Sequence, residues 1–123
     1  MNVVDSSGWI AFFADTKNAN AFSKPLQDTD RLIVPSIVVY EVSKVLLRGQ
    51  GEEAAITAQA HMQQATIVDL TAKLASVAAV LSLELRLAMA DSIILATARA
   101  FDATVWTQDE HFRGLPKVNY FAT

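Results

Sequence analysis

The chain has 123 residues, enough for one domain with a sizeable core. Its formal net charge is −3 and its 10 basic residues form no run, so nucleic-acid binding through a bulk positive field is excluded; any such contact must be local or assisted by metal ions. There are no cysteines, which removes disulfides and thiolate metal sites, and the 52% hydrophobic content has no run long enough for a membrane span, so the apolar surplus points to a thick core or an oligomer interface.

The N-terminus, MNVVDSSGWIAFF, lacks a basic region before its apolar residues and does not resemble a signal peptide; with the absence of cysteine this suits a cytoplasmic protein. Residues 2–5 form a short apolar strand ending in Asp5. Ser6 or Ser7 can cap a helix through Trp9, Ile10, Phe12 and Phe13. A second helix covers 19–27, interrupted or restarted at Pro25. Residues 31–34 (RLIV) read as a buried strand stopped by Pro35, and Ser36 caps a helix that ends at Gly49. Residues 52–64 form an Ala-rich helix and 66–70 (TIVDL) a third strand. Thr71 opens a helix to about Glu84, and Asp91 opens the next, to Phe101. Residues 104–107 (TVWT) form a fourth strand, 109–113 a helical turn, and 117–121 a last short strand. Strands alternate with helices and are apolar throughout rather than alternating. That predicts a single α/β domain over 1–123, with a short, mostly parallel sheet between helical layers.

In an open parallel sheet, ligands bind beyond the carboxyl ends of the strands. Asp5 closes the first strand and Asp109 follows the fourth, so both can face one edge. On a helical wheel Glu41 falls at the border of an apolar face, between Ile37 and Val45, with Lys44 and Arg48 on its other side. Asp91 falls between Leu95 and Ala98, opposite Ser92 and Arg99. Acids buried singly are expensive and acids brought together repel; a divalent cation resolves both problems, and oxygen donors suit Mg²⁺ or Mn²⁺. Each acid also has a local explanation. Asp5, Asp91 and Asp109 can serve helix N-termini, and Glu41 can pair with Lys44 or Arg48. An empty acidic site would repel any polyanion, so basic side chains would have to guide such a ligand in. Lys44, Arg48, Arg86 and Arg113 are the candidates, with surface ion pairing as their alternative.

Asp5 after a first strand, Glu41 in the helix after PSIVVYEV, ADSIILATA around Asp91 and WTQDEHF after a strand together resemble the PIN domain. More closely, they resemble the VapC-type ribonuclease toxins of toxin–antitoxin pairs. The resemblance covers essentially the whole chain. It implies a three-layer α/β/α fold and metal-dependent endonucleolytic cleavage of RNA by an acidic quartet, Asp5, Glu41, Asp91 and Asp109. It also implies support from Thr107, in the family's T-x-D position, with Ser6 beside Asp5 a further supporting residue. A metal-activated water would attack the phosphodiester, with Asp91 or Asp109 as its proton acceptor and one or two ions engaged. The family often carries another acid two positions beyond the last Asp; here that position is His111, which departs from the pattern and reads as a surface histidine or a substrate contact. A homodimer and a cognate antitoxin are further implications, with Tyr40, Leu47, Trp9 and Phe13 as interface candidates.

Three rivals share some of these features. A phosphorelay receiver would use Asp69 after the third strand, but it requires paired acids after the first strand and a Lys after the fifth. A haloacid-dehalogenase-type phosphatase needs D-x-D where this chain has Asp5-Ser6-Ser7. A non-catalytic PIN-like module would bind RNA or protein without cutting.

Overall fold

The computed structural model describes residues 1–123. Five short strands form one parallel sheet: β1 (Asn2–Val4), β2 (Leu32–Pro35), β3 (Thr66–Val68), β4 (Thr104–Thr107) and β5 (Val118–Tyr120), in the order β3-β2-β1-β4-β5. The central register places Val3 opposite Ile33 on one side and Val105 on the other. All four pairings are parallel, and the central β1 and β2 are covered on both faces while the edge strands β3 and β5 are partly exposed. Six α-helices connect them: α1 (Ser6–Ala14), α2 (Ala19–Gln27), α3 (Ser36–Gly49), α4 (Glu52–Gln63), α5 (Ala72–Leu85) and α6 (Met89–Ala100). Two 3₁₀ turns, Thr29–Arg31 and Glu110–Phe112, complete the chain.

Successive crossovers from β1 to β2 to β3 step one way across the sheet, and the crossover through α5 and α6 steps back to β4. With right-handed crossovers this puts α1–α4 on one face and α5–α6 on the other, a three-layer α/β/α sandwich. The reversal leaves a crevice at the carboxyl ends of β1 and β4, the place where such sheets bind ligands. The receiver reading fails here. A receiver's strand order is 2-1-3-4-5, with its third strand beside the first; in this chain β3 is an edge strand and Asp69 is exposed.

The core runs through both layers, with Val3, Val4, Ile33, Val34 and Val105 from the sheet packed against Trp9, Phe22, Val42, Ile94 and Leu95. Gly8 lets α1 approach this core closely. A Cβ there would lie 2.5 Å from Val4 Cγ1 and 2.8 Å from the Phe22 ring.

Several local expectations change. Pro35 does not stop β2 but is its last residue, aligned with Val68; a parallel ladder bonds alternate residues to each neighbour, so the missing N–H is tolerated at a strand end. Pro25 lies inside an unbroken α2, where the lost bond would have gone to the carbonyl of Ala21. Ser36 does not cap α3; its Oγ accepts the Leu70 N–H instead. The α6 helix begins two residues before Asp91, at Met89. Ser92, expected on a polar face, is buried, because α6 is enclosed from Ser92 to Ala98 between the sheet and α5; its hydroxyl is satisfied by the Met89 carbonyl at 2.7 Å. Trp9 is fully buried and stacks on Phe13, so it belongs to the core rather than to an interface, whereas Tyr40 and Leu47 are exposed. No helix is long and apolar enough to cross a membrane.

Candidate metal centre

Asp5 leaves β1 at the central crevice and is 3% exposed. It, not Ser6 or Ser7, caps α1: its Oδ1 accepts the Gly8 N–H at 3.0 Å and the Ser7 hydroxyl at 2.7 Å. Its Oδ2 accepts the Thr107 hydroxyl at 2.6 Å. Burial pushes the Asp5 carboxyl up to about 6, against the pull of these three donors, and the charge of Asp109 adds to the rise.

Thr107 is the last residue of β4 and fully buried. Its hydroxyl also accepts the Asp109 N–H at 2.9 Å, which fixes the turn carrying the next acid. Asp109 caps the 3₁₀ turn by accepting the His111 N–H at 2.9 Å. Ser7 adds a second tie between the strand ends, since its Oγ accepts the Gln108 N–H at 3.3 Å.

Asp91 lies in the first turn of α6, partly buried, and accepts no hydrogen bond from the protein. Burial raises its carboxyl to about 6, Asp109 and Glu41 push it further the same way, and His111 opposes them. Glu41, in the second turn of α3, accepts a short hydrogen bond from the Ser6 hydroxyl. It makes no ion pair with Lys44 or Arg48. The charge of Asp109 thus acts on both Asp5 and Asp91, and that of Glu41 on Asp91, but the four acids do not converge equally. Ligating atoms of Asp91, Asp109 and His111 lie within 4.8 Å of one another; Asp5 and Glu41 stand outside that set.

His111 is the residue the sequence did not assign to the site. Its Nδ1 lies 2.9 Å from Asp109 Oδ1 and 3.9 Å from Asp91 Oδ2. Its signals in the sequence are the D-x-H spacing, which the 3₁₀ turn folds back onto its capping residue Asp109, and its place where the resemblance expects a further acid.

The basic candidates are dispersed. Lys44 lies over the Tyr40 ring at 5.7 Å and, with Ser43, Leu47 and Arg48, borders a shallow depression on the outer face of α3. Arg48 is seven residues beyond Glu41, about 10 Å farther along the helix. Arg113 sits over the Tyr120 ring at 5.7 Å. Arg86 takes a left-handed conformation (φ 56°) that ends α5 three residues before α6 begins.

The donor set, carboxylates with one imidazole, fits a divalent cation bound through oxygen and nitrogen. Within this set Asp91 is held protonated more readily than usual, first by its burial and then by the charge of Asp109.

Comparison with known proteins agrees with this geometry. The family model of the PIN domain matches residues 3–118. Among solved structures, a toxin–antitoxin complex from Klebsiella pneumoniae has a chain similar at a TM-score of 0.84 and 19% identity, over 100% of each chain. Mycobacterium tuberculosis VapC20, described as a sarcin–ricin-loop-cleaving toxin, is similar at 0.80 and 21%, over 96% of this chain and 97% of that one. VapBC2 from Rickettsia felis, bound to a DNA fragment from its promoter, gives 0.72 and 18%, over 98% and 97%. At these identities the likeness is one of fold. No curated protein sequence matches this chain.

Proposed function

This chain belongs to the PIN domain family, and from that premise we propose that it is a divalent-metal-dependent endoribonuclease acting as the toxin of a toxin–antitoxin pair. The observation that carries the reading is the acidic edge itself. Asp5, Glu41, Asp91 and Asp109 come from four different elements; Asp109 is near enough for its charge to act on Asp5 and Asp91, and Glu41 for its charge to act on Asp91, and none of the four pairs with a Lys or Arg. These four would hold Mg²⁺ or Mn²⁺, which supplies a water of lowered pKa and positive charge beside the phosphate.

The protein's own part follows from the hydrogen bonds. Asp5 already accepts three donors, so it is a fixed structural acid that sets the edge of the site. Thr107 carries that order to Asp109. Ser6 holds Glu41 in place across the gap between α1 and α3. Asp91 is the acid with no protein donor, which leaves its oxygens free for the ion or for a proton from the attacking water. Lys44 and Arg48 would receive the RNA backbone on the α3 side, with Arg86 and Arg113 at the margins.

The fold likeness to a toxin–antitoxin complex and to VapBC2 supports a protein antitoxin as partner, and the exposed apolar side chains support a second copy of the chain as another. An RNA substrate would be met in the cytoplasm, which supports that location.

Cleavage of a total-RNA mixture with Mg²⁺ or Mn²⁺ tests the enzyme. Wild type should cut and Asp91→Asn should not, while still binding RNA. Equal RNA binding by both with no cleavage under either ion would instead make this a binding module.

A further inference from the structure

We propose that His111 is itself a ligand of the metal centre, so that this chain prefers Mn²⁺ and later first-row ions to Mg²⁺. The proposal rests on the metal-centre reading above. An octahedral ion with bonds of 2.0–2.1 Å sets neighbouring ligand atoms about 3 Å apart and opposite ones about 4 Å apart. His111 Nδ1 stands 2.9 Å from Asp109 Oδ1 and 3.9 Å from Asp91 Oδ2, the separations of an adjacent and an opposite ligand around one ion, and ligand atoms of all three residues lie within 4.8 Å of one another. The side chain is 69% exposed, on a turn whose backbone is fixed by Asp109 and Thr107, so the ring is free to present its lone pair without disturbing the core. Mg²⁺ favours oxygen donors and imidazole favours ions farther along the first row; a nitrogen in the set therefore shifts selectivity away from Mg²⁺.

The chain has only two histidines. His61 is committed elsewhere, with Nε2 2.7 Å from the Leu26 carbonyl and its ring packed against Trp9 and Phe12. Nitrogen coupling on bound Mn²⁺ thus reports His111. Pulsed electron paramagnetic resonance of Mn²⁺ with the full chain should show imidazole nitrogen modulation, lost in His111→Ala and His111→Asp. Titration should show the Mn²⁺-over-Mg²⁺ preference falling by roughly tenfold or more in His111→Asp. Bound Mn²⁺ without nitrogen modulation, and an unchanged preference in the variant, would overturn the ligand role and leave the metal centre standing. No Mn²⁺ binding by wild type would remove the metal centre and this proposal together.

Discussion

Thr107 is held between two acids: its hydroxyl donates to Asp5 Oδ2 at 2.6 Å and accepts the Asp109 N–H at 2.9 Å. One buried oxygen thus joins the end of β1 to the turn after β4. Thr107→Val keeps the shape and removes both bonds, orphaning a backbone donor and leaving Asp5 short of one. A loss of about 1–3 kcal/mol is expected in urea unfolding. Thr107→Ser retains the hydroxyl and should lose no more than about 1 kcal/mol, mainly for the missing methyl. Equal losses in the two variants would mean that packing, not the hydroxyl, is what matters.

Ser6 makes a different kind of link. Its bond to Glu41 spans α1 and α3 at a partly exposed position where water can replace it. Ser6→Ala should therefore change stability by less than about 1 kcal/mol. Cleavage should nevertheless fall between about ten- and a hundredfold in kcat, with KM little altered, because Glu41 loses its fixed position. Comparison of melting midpoints and single-turnover rates separates the two effects.

Most of this architecture is legible in the sequence because apolar strands and capped helices alternate at short spacing. The limits of β4 and α2 match the apolar pattern, and the edge that gathers the acids follows from strand ends alone. What escapes is direction. The sequence offers Ser6, Ser7 and Asp5 as equivalent caps, and only the close approach of Thr107 selects Asp5. Ser92 looks polar on a wheel, yet its hydroxyl is absorbed by the carbonyl three residues back. His111 enters the site through a single 3₁₀ turn, too short to leave a periodic signal. The pairing of Ser6 with Glu41, 35 residues apart, depends on the packing of two helices that no local pattern encodes.

Gly8 is the tightest point of the fold beside the site. A methyl group there would meet Val4 Cγ1 at 2.5 Å and the Phe22 ring at 2.8 Å, both fully buried. Gly8→Ala should destabilise the domain by about 1–3 kcal/mol through overpacking, despite the better helix propensity of Ala. It should also disturb Asp5, whose Oδ1 accepts the Gly8 N–H. A midpoint equal to or above wild type in thermal melts would show that α1 can shift outward at no cost.

Lys44 and Arg48 lie on one exposed flank of α3. If they meet RNA phosphates, Lys44→Ala/Arg48→Ala should weaken binding and lower the salt slope of log K against log[salt] by about 1.4, the value for two contacts on a single strand. An unchanged slope would assign them to the surface or to a protein partner.

The raised carboxyls give stability an unusual pH dependence. Asp5 and Asp91 titrate near 6 in the folded chain and near 3.8 when unfolded. Between those values the folded protein holds more protons than the unfolded one, so stability must fall as pH rises through the window and level off above it. For Asp5 the shift amounts to about 3 kcal/mol. Metal-free melts from pH 4 to 7 should show this decline, and Asp5→Asn and Asp91→Asn should each flatten it, so that Asp91→Asn melts above wild type at pH 7. Mn²⁺ should reverse the order there, because it stabilises the deprotonated wild-type site more than the variant. A wild type whose stability rises with pH over this range, with variants that melt lower and ignore Mn²⁺, would mean that the acids act as separate caps. The two responses belong together: the buried charge that costs the metal-free fold its stability is the charge that an ion would neutralise.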